Sequence, residues 1–200
     1  MSVRYSLAYR WGITPWDKSG AGSDDAFQRL LEREERERGR PFGRALDLGC
    51  GTGEYTRQLE QRGWDALGVD NVRLAVDIAI RRAGPEGRYV IGDVTHLKGC
   101  GVGANYSFFL DVGCFNGLGE GARRALGEGV TQLACPGATL LVLCTAPRRP
   151  GLHQHGADRA AVESALPEWR VVAIDAAHVS GLPHAMRNST PTWYRLALAA

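Results

Sequence analysis

The stretch Arg44-Ala-Leu-Asp-Leu-Gly-Cys-Gly-Thr-Gly53 decides how the rest of the chain is read. Its first half, Arg44 to Leu48, is a short apolar run of strand type that stops abruptly at Gly49. From Glu54 to Arg62 the pattern turns helical. A strand, a glycine-rich turn and a helix in this order form the setting in which such a turn binds a ligand. Glycines allow the tight turn and let a ligand approach the backbone. The free N–H groups that open the helix suit an anionic group.

Working outward, strands and helices alternate. Trp64–Val69 reads as a second strand, Asn71–Ala83 as a helix, Arg88–Ile91 as a third strand and Ser107–Val112 as a fourth, apolar enough to be buried on both faces. A helix over Glu120–Ala134 follows, then a strand over Ala138–Thr145 bounded by Pro136-Gly137 and Pro147. Asp158 caps a short helix to Leu166, and Arg170–Ala176 and Thr192–Leu198 close the series. Alternation implies parallel strands with right-handed crossovers. Only a loop joins the final two strands, which suits an antiparallel pair. The expected fold is α/β: a Rossmann-like, seven-stranded, mostly parallel sheet with its last strand antiparallel and helices on both faces.

Upstream, Asp24–Arg40 reads as a helix capped by Ser23 or Asp24, with Ala26, Phe27, Leu30 and Leu31 on its apolar face. Its end, Glu32–Arg38, alternates acid and base and is expected to lie in water. The chain then divides into an arm and helix over residues 1–40, forming a lid over the site, and a ligand-binding domain over residues 41–200, within one compact unit.

Composition narrows the function classes. The net charge is +2, and the arginine pairs 81–82, 123–124 and 148–149 are scattered among acids, so no nucleic-acid partner is expected. The 5 cysteines are odd in number and contain no C-x-x-C, which opposes a disulfide framework or a structural zinc site; no metal is expected. Met1 to Trp11 lacks an apolar signal core and no run is long enough to span a membrane, so a cytoplasmic location is expected.

A dinucleotide fingerprint is G-x-G-x-x-G/A. Gly49 and Gly51 match its first two positions, but the third falls on Glu54, whose carboxylate would repel a pyrophosphate. Acids end the next two strands: Asp70 in Leu67-Gly-Val-Asp70, and Asp93 in Ile91-Gly-Asp-Val94. Asp70 follows the first glycine by about 20 residues, where an acid accepts ribose hydroxyls.

The spacing Asp47-x-Gly49-x-Gly51-x-Gly53 resembles motif I of the class I methyltransferases that use S-adenosylmethionine (SAM). That resemblance covers nearly the whole chain. It implies that the loop wraps the methionine end of SAM, with Asp47 serving the ammonium and Asp93 meeting the adenine amino group. Two segments resemble the thiopurine, thiol and halide methyltransferases and related small bacterial enzymes. One is Tyr5…Tyr9-Arg-Trp-Gly-Ile-Thr-Pro-Trp16-Asp17, whose aromatic residues Tyr9 and Trp16 would close over the cofactor. The other is Phe109-Leu-Asp-Val-Gly-Cys-Phe-Asn-Gly117. There Asp111 would lie near the sulfonium, and Cys114, Phe115 and Asn116 would line the acceptor pocket. The cofactor-binding set implied is Tyr9, Trp16, Asp47, Gly49, Gly51, Gly53, Asp70, Asn71, Asp93, Val94 and Asp111.

Related enzymes often carry a His where this chain has Asn116, and Asn cannot take a proton. That departure favours a small-molecule acceptor that arrives deprotonated: a thiol, a halide or another soft nucleophile. O- or N-methylation of a natural product, and SAM binding without catalysis, remain competing readings. Asp111, His153 and His155 are the candidates for a catalytic base. Cys114 reads as an apolar filler. A monomer or a homodimer is expected.

Overall fold

The computed structural model describes residues 25–84, 87–146, 156–177 and 191–199. Tyr9, Trp16, His153 and His155 lie outside the described residues. One seven-stranded sheet has the order β3-β2-β1-β4-β5-β7-β6. Its strands are β1 Arg44–Leu48, β2 Asp65–Asp70, β3 Tyr89–Ile91, β4 Tyr106–Val112, β5 Ala134–Cys144, β6 Trp169–Ala176 and β7 Thr192–Leu198. The helices are α1 Asp25–Arg38, α2 Glu54–Arg62, α3 Arg73–Ala83, α4 Glu120–Leu133 and α5 Arg159–Ala165. Strands β1 to β5 pair in parallel; β7 runs antiparallel to both β5 and β6. The antiparallel last strand is thus inserted between β5 and β6 rather than added at the edge.

The period-2 alternation of the strands divides the core into two layers. Leu46, Leu48, Phe109, Leu140, Val142 and Leu196 pack with α4 and α5 on one face. Ala45, Phe108, Leu110, Leu141 and Leu143 pack on the other with Phe27 and Leu31 of α1 and Leu59 of α2. Among the described residues no helix is long and apolar enough to cross a membrane.

Two boundaries depart from the sequence expectation. Strand β5 begins at Ala134, directly after α4, and runs through Pro136-Gly137. Its register with β4 shifts between Tyr106 and Phe108, a bulge that takes in the positive φ of 76° at Gly137. β7 pairs with β5 only from Thr139 onward, so the missing N–H of Pro136 breaks no ladder bond there.

The second departure concerns α1. It is packed into the core, with Phe27 and Leu31 fully buried. Its charged end is only partly solvated: Glu32, Arg36 and Glu37 are exposed, and the rest are not. Glu34 is fully buried: Arg38 and Thr139 donate to its Oε2, and Arg195 of β7 pairs with its Oε1. Arg38 also donates to Ser107 O at 2.9 Å, and Arg195 to Glu37 Oε2 at 2.6 Å. Glu35 receives both Arg62 Nε and Nη2 at 2.7 Å. Alternating charges on a helix read as a wet face, but the partners that bury these come from β4, β5, β7 and α2.

Candidate cofactor site

The carboxyl ends of β1, β2 and β4 bring three acids together. Leu48 pairs in register with Val69 on one side and with Asp111 on the other, which places Asp47, Asp70 and Asp111 on adjacent strands. The glycine loop between β1 and α2 is tied to β2: Gly49 and Cys50 N–H both donate to Val69 O, at 2.8 and 3.0 Å. Gly49, Gly51 and Gly53 have φ of 71°, 54° and 81°, a region that side chains resist. At Gly49 a Cβ would also stand 2.6 Å from Cys114 Cβ, so the loop is closed tightly against the segment after β4.

Asp47 is buried, and Thr56 Oγ1 on the first turn of α2 donates to its Oδ2 at 2.6 Å. Burial pushes its carboxyl up to about 7, against the pull of the Thr56 hydrogen bonds and with a contribution from Asp70. Asp111 is equally buried and receives Phe115 N–H on both oxygens, at 3.1 and 3.0 Å. Burial again dominates and, with Asp47 nearby, carries it to about 7. Asp70 accepts from Gly51 N–H at 2.9 Å and from Val72 N–H at 2.8 Å, and burial raises its pKa. None of the three forms a salt bridge among the described residues. Buried carboxylates without a cation are unfavourable unless a ligand supplies one.

Asp93 is exposed and bonds Thr95 N–H and Oγ1 at 2.9 and 2.8 Å. Burial works to raise it, but those bonds prevail and hold it below the ordinary value. Asn71 is exposed at the end of β2, and Val94 is buried.

The segment expected to line an acceptor pocket is more structural than the sequence suggested. Phe115 is only 1% exposed and its ring belongs to the core. Asn116 uses both ends of its amide internally, with Nδ2 donating to Leu143 O and Oδ1 accepting from Thr145 N–H, each at 3.1 Å. Cys114 is half-buried against Gly49, and burial together with Asp111 pushes its thiol well above the ordinary value, which opposes a thiolate.

Sequence reasoning passed over two residues of this region, Thr56 and Arg123. Thr56 carried a signal, a polar residue one turn past the glycine loop on the buried face of α2; Arg123 carried none, because it stands beside the exposed Arg124.

Residues 45–134 match the model of a methyltransferase domain. That stretch is similar to a methyltransferase domain, and the fold of the chain is similar to that of solved SAM-dependent methyltransferases. A 2-heptyl-1-hydroxyquinolin-4(1H)-one methyltransferase of Mycobacteroides abscessus is 26% identical over 111 residues, 54% of this chain and 48% of that protein. A trans-aconitate 2-methyltransferase of Deinococcus radiodurans is 42% identical over 62 residues, 30% of this chain and 24% of that protein. The chain thus spans about half or less of the relatives it matches. In fold it is similar to the Burkholderia thailandensis 1,6-didemethyltoxoflavin-N1-methyltransferase, with a TM-score of 0.74 and 17% identity over 98% of this chain and 86% of that one.

The donor set of this site fits SAM. SAM carries a sulfonium and an ammonium, and the site offers two buried acids with no cationic partner among the described residues. No cluster of three or more His, Cys, Asp or Glu that could hold a metal occurs among the described residues.

Proposed function

We propose that this chain is a SAM-dependent methyltransferase acting on a small molecule whose nucleophilic atom reaches the site as an anion or a soft base. The burial of Asp47 and Asp111 without a compensating cation among the described residues carries this reading. In this reading Asp47 faces the ammonium, Asp70 and Asn71 the ribose and adenine edge, Asp93 and Val94 the adenine, and Asp111 the sulfonium side. Gly49, Gly51 and Gly53 leave the loop backbone open to the methionine end. Tyr9 and Trp16 are assigned to a cover that keeps water out.

When bound, SAM supplies an activated methyl group and a thioether leaving group. The chain's own contribution is position and a low-dielectric floor. In such a surrounding, uniting an anionic nucleophile with a cationic donor removes two charges, and the transition state is favoured over its separated ions.

Proton abstraction by the described residues is poorly served. Asn116 is fully engaged in the fold, and the Asp47 and Asp111 carboxyls are packed against Thr56 and the Phe115 backbone. A thiol, a halide or another acidic acceptor needs no base. A second reading, O- or N-methylation of a natural product, is favoured by the names of the relatives, which act on a hydroxyquinolinone, on aconitate and on a didemethyltoxoflavin. The two readings meet where the acceptor is an acidic O–H or N–H.

The test is S-adenosylhomocysteine (SAH) release across a panel of iodide, simple thiols, carboxylates, N-hydroxyquinolones, phenols and alkylamines. Turnover confined to the acidic and soft members is expected. Turnover with neutral alkylamines alone would overturn the base-free reading, and SAM binding without turnover on any member would favour a non-catalytic role.

A further inference from the structure

Arg123 sits in the first turn of α4, whose N-cap is Gly119. A cation there opposes the positive end of the helix dipole, a penalty of about 0.3–1 kcal/mol. Burial further disfavours its charge and draws its pKa below the ordinary value. Something must offset both, and the contacts show what. Nε donates to Phe115 O at 3.1 Å, Nη2 donates to Gly156 O at 2.6 Å and to Asn116 O at 3.4 Å, and the guanidinium lies 5.0 Å over the Phe115 ring.

These contacts converge on one short turn. Its Phe115 N–H holds both oxygens of Asp111, Cys114 abuts Gly49 of the glycine loop, and the Asn116 amide clips the end of β5. Gly156 N–H returns a bond to Asn116 O at 3.1 Å, and Ala157 N–H bonds Thr145 O at 2.9 Å. The planar five-donor fork of arginine suits three carbonyls at once; a lysine ammonium keeps the charge without that geometry.

We propose that Arg123 is a positioning residue of the cofactor site, acting through the turn Gly113–Gly117 to hold Asp111 beneath the sulfonium. This rests on the SAM-binding reading above. Asp111 interacts with the cation of SAM and not with the neutral sulfur of SAH. Loss of its alignment therefore changes the preference between the two ligands, whereas a general loosening of the fold weakens both alike.

The experiment is calorimetric titration of SAM and of SAH into the wild-type chain and into Arg123→Lys, Asn116→Ser and Arg124→Lys. Arg123→Lys conserves charge, so it isolates geometry. It is expected to weaken SAM about tenfold and SAH about threefold or less. Asn116→Ser breaks the same turn from its β5 side and is expected to shift the SAM-to-SAH ratio in the same direction, which keeps the test open if Arg123→Lys fails to fold. Arg124, which among the described residues pairs with the exposed Glu120, is the control and should leave the ratio unchanged. A wild-type ratio in Arg123→Lys, or in Asn116→Ser where Arg123→Lys does not fold, would overturn the positioning role alone. Failure of the wild-type chain to bind either ligand would overturn the cofactor reading itself.

Discussion

On the α1 face of the sheet, Glu34 is as deeply buried as Asp47 and Asp111 are at the carboxyl ends of the strands, yet the two regions treat their charge in opposite ways. Glu34 is surrounded by Arg195, Arg38 and Thr139. Asp47 and Asp111 have hydrogen-bond donors but no cation among the described residues, and both carboxyls are pushed up to about 7. The first cluster is complete within the chain and ties α1 to β4, β5 and β7. The second has no cation among the described residues, and in the proposed reading the ligand supplies it. Burial of a charged residue is therefore uninformative by itself; the presence of a partner separates scaffold from site.

The largest effect should come from breaking the complete cluster. Among the described residues, Glu34→Ala leaves Arg195 with the half-exposed Glu37 and removes the carboxylate partner of Arg38. A loss of about 3–5 kcal/mol is expected, read from urea denaturation midpoints. A loss below about 1 kcal/mol would mean that α1 is held by its apolar face alone and that the network adds little.

At the incomplete cluster the same kind of change should act in the opposite sense. A pKa raised from 3.8 to about 7 corresponds to roughly 4 kcal/mol against the ionised form, an upper bound for Asp47. The folded state holds this proton more tightly than the unfolded chain. Stability without ligand therefore falls as pH rises from about 4 to about 7 and levels off above that. Asp47→Asn should gain about 1–3 kcal/mol at pH 8, with the gain vanishing near pH 4. The same variant should bind SAM at least tenfold more weakly, about 1.4 kcal/mol. Denaturation curves at several pH values and one titration check both halves. A variant that is destabilised at pH 8 would show that Asp47 belongs to the scaffold after all.

How much of this was legible follows from the range of the interactions. The alternation of strands and helices near the site, and the strand ends that carry Asp47, Asp70 and Asp111, could be read because a glycine turn, a strand-end acid and an apolar run are local signals. The start of β5 could not: Pro136-Gly137 is a boundary in most settings, and only the bulge against Tyr106 and Phe108 absorbs it. The partners of Asn116, Leu143 and Thr145, are also out of reach of a local reading, because they lie at the far end of β5. Tyr9 and Trp16 fall outside the described residues, so their part in covering the site is a proposal.

The smallest effect tests the comparison within a single helix. Glu32 and Glu34 stand two residues apart in the run Glu32-Arg-Glu-Glu-Arg-Glu-Arg38, each with an arginine four positions on. The i,i+4 pattern is the same for both and predicts a few tenths of a kcal/mol for either. In the structure Glu32 and Arg36 are both exposed and 4.0 Å apart, whereas Glu34 meets Arg195, 161 residues away. Glu32→Gln should therefore change stability by no more than about 0.5 kcal/mol. Raised salt should erase even that difference, because the Glu32 pair stands in water and is screened. A Glu32→Gln effect approaching that of Glu34→Ala would place the stabilising power in the helix's own charge pattern rather than in the partner that β7 brings to it.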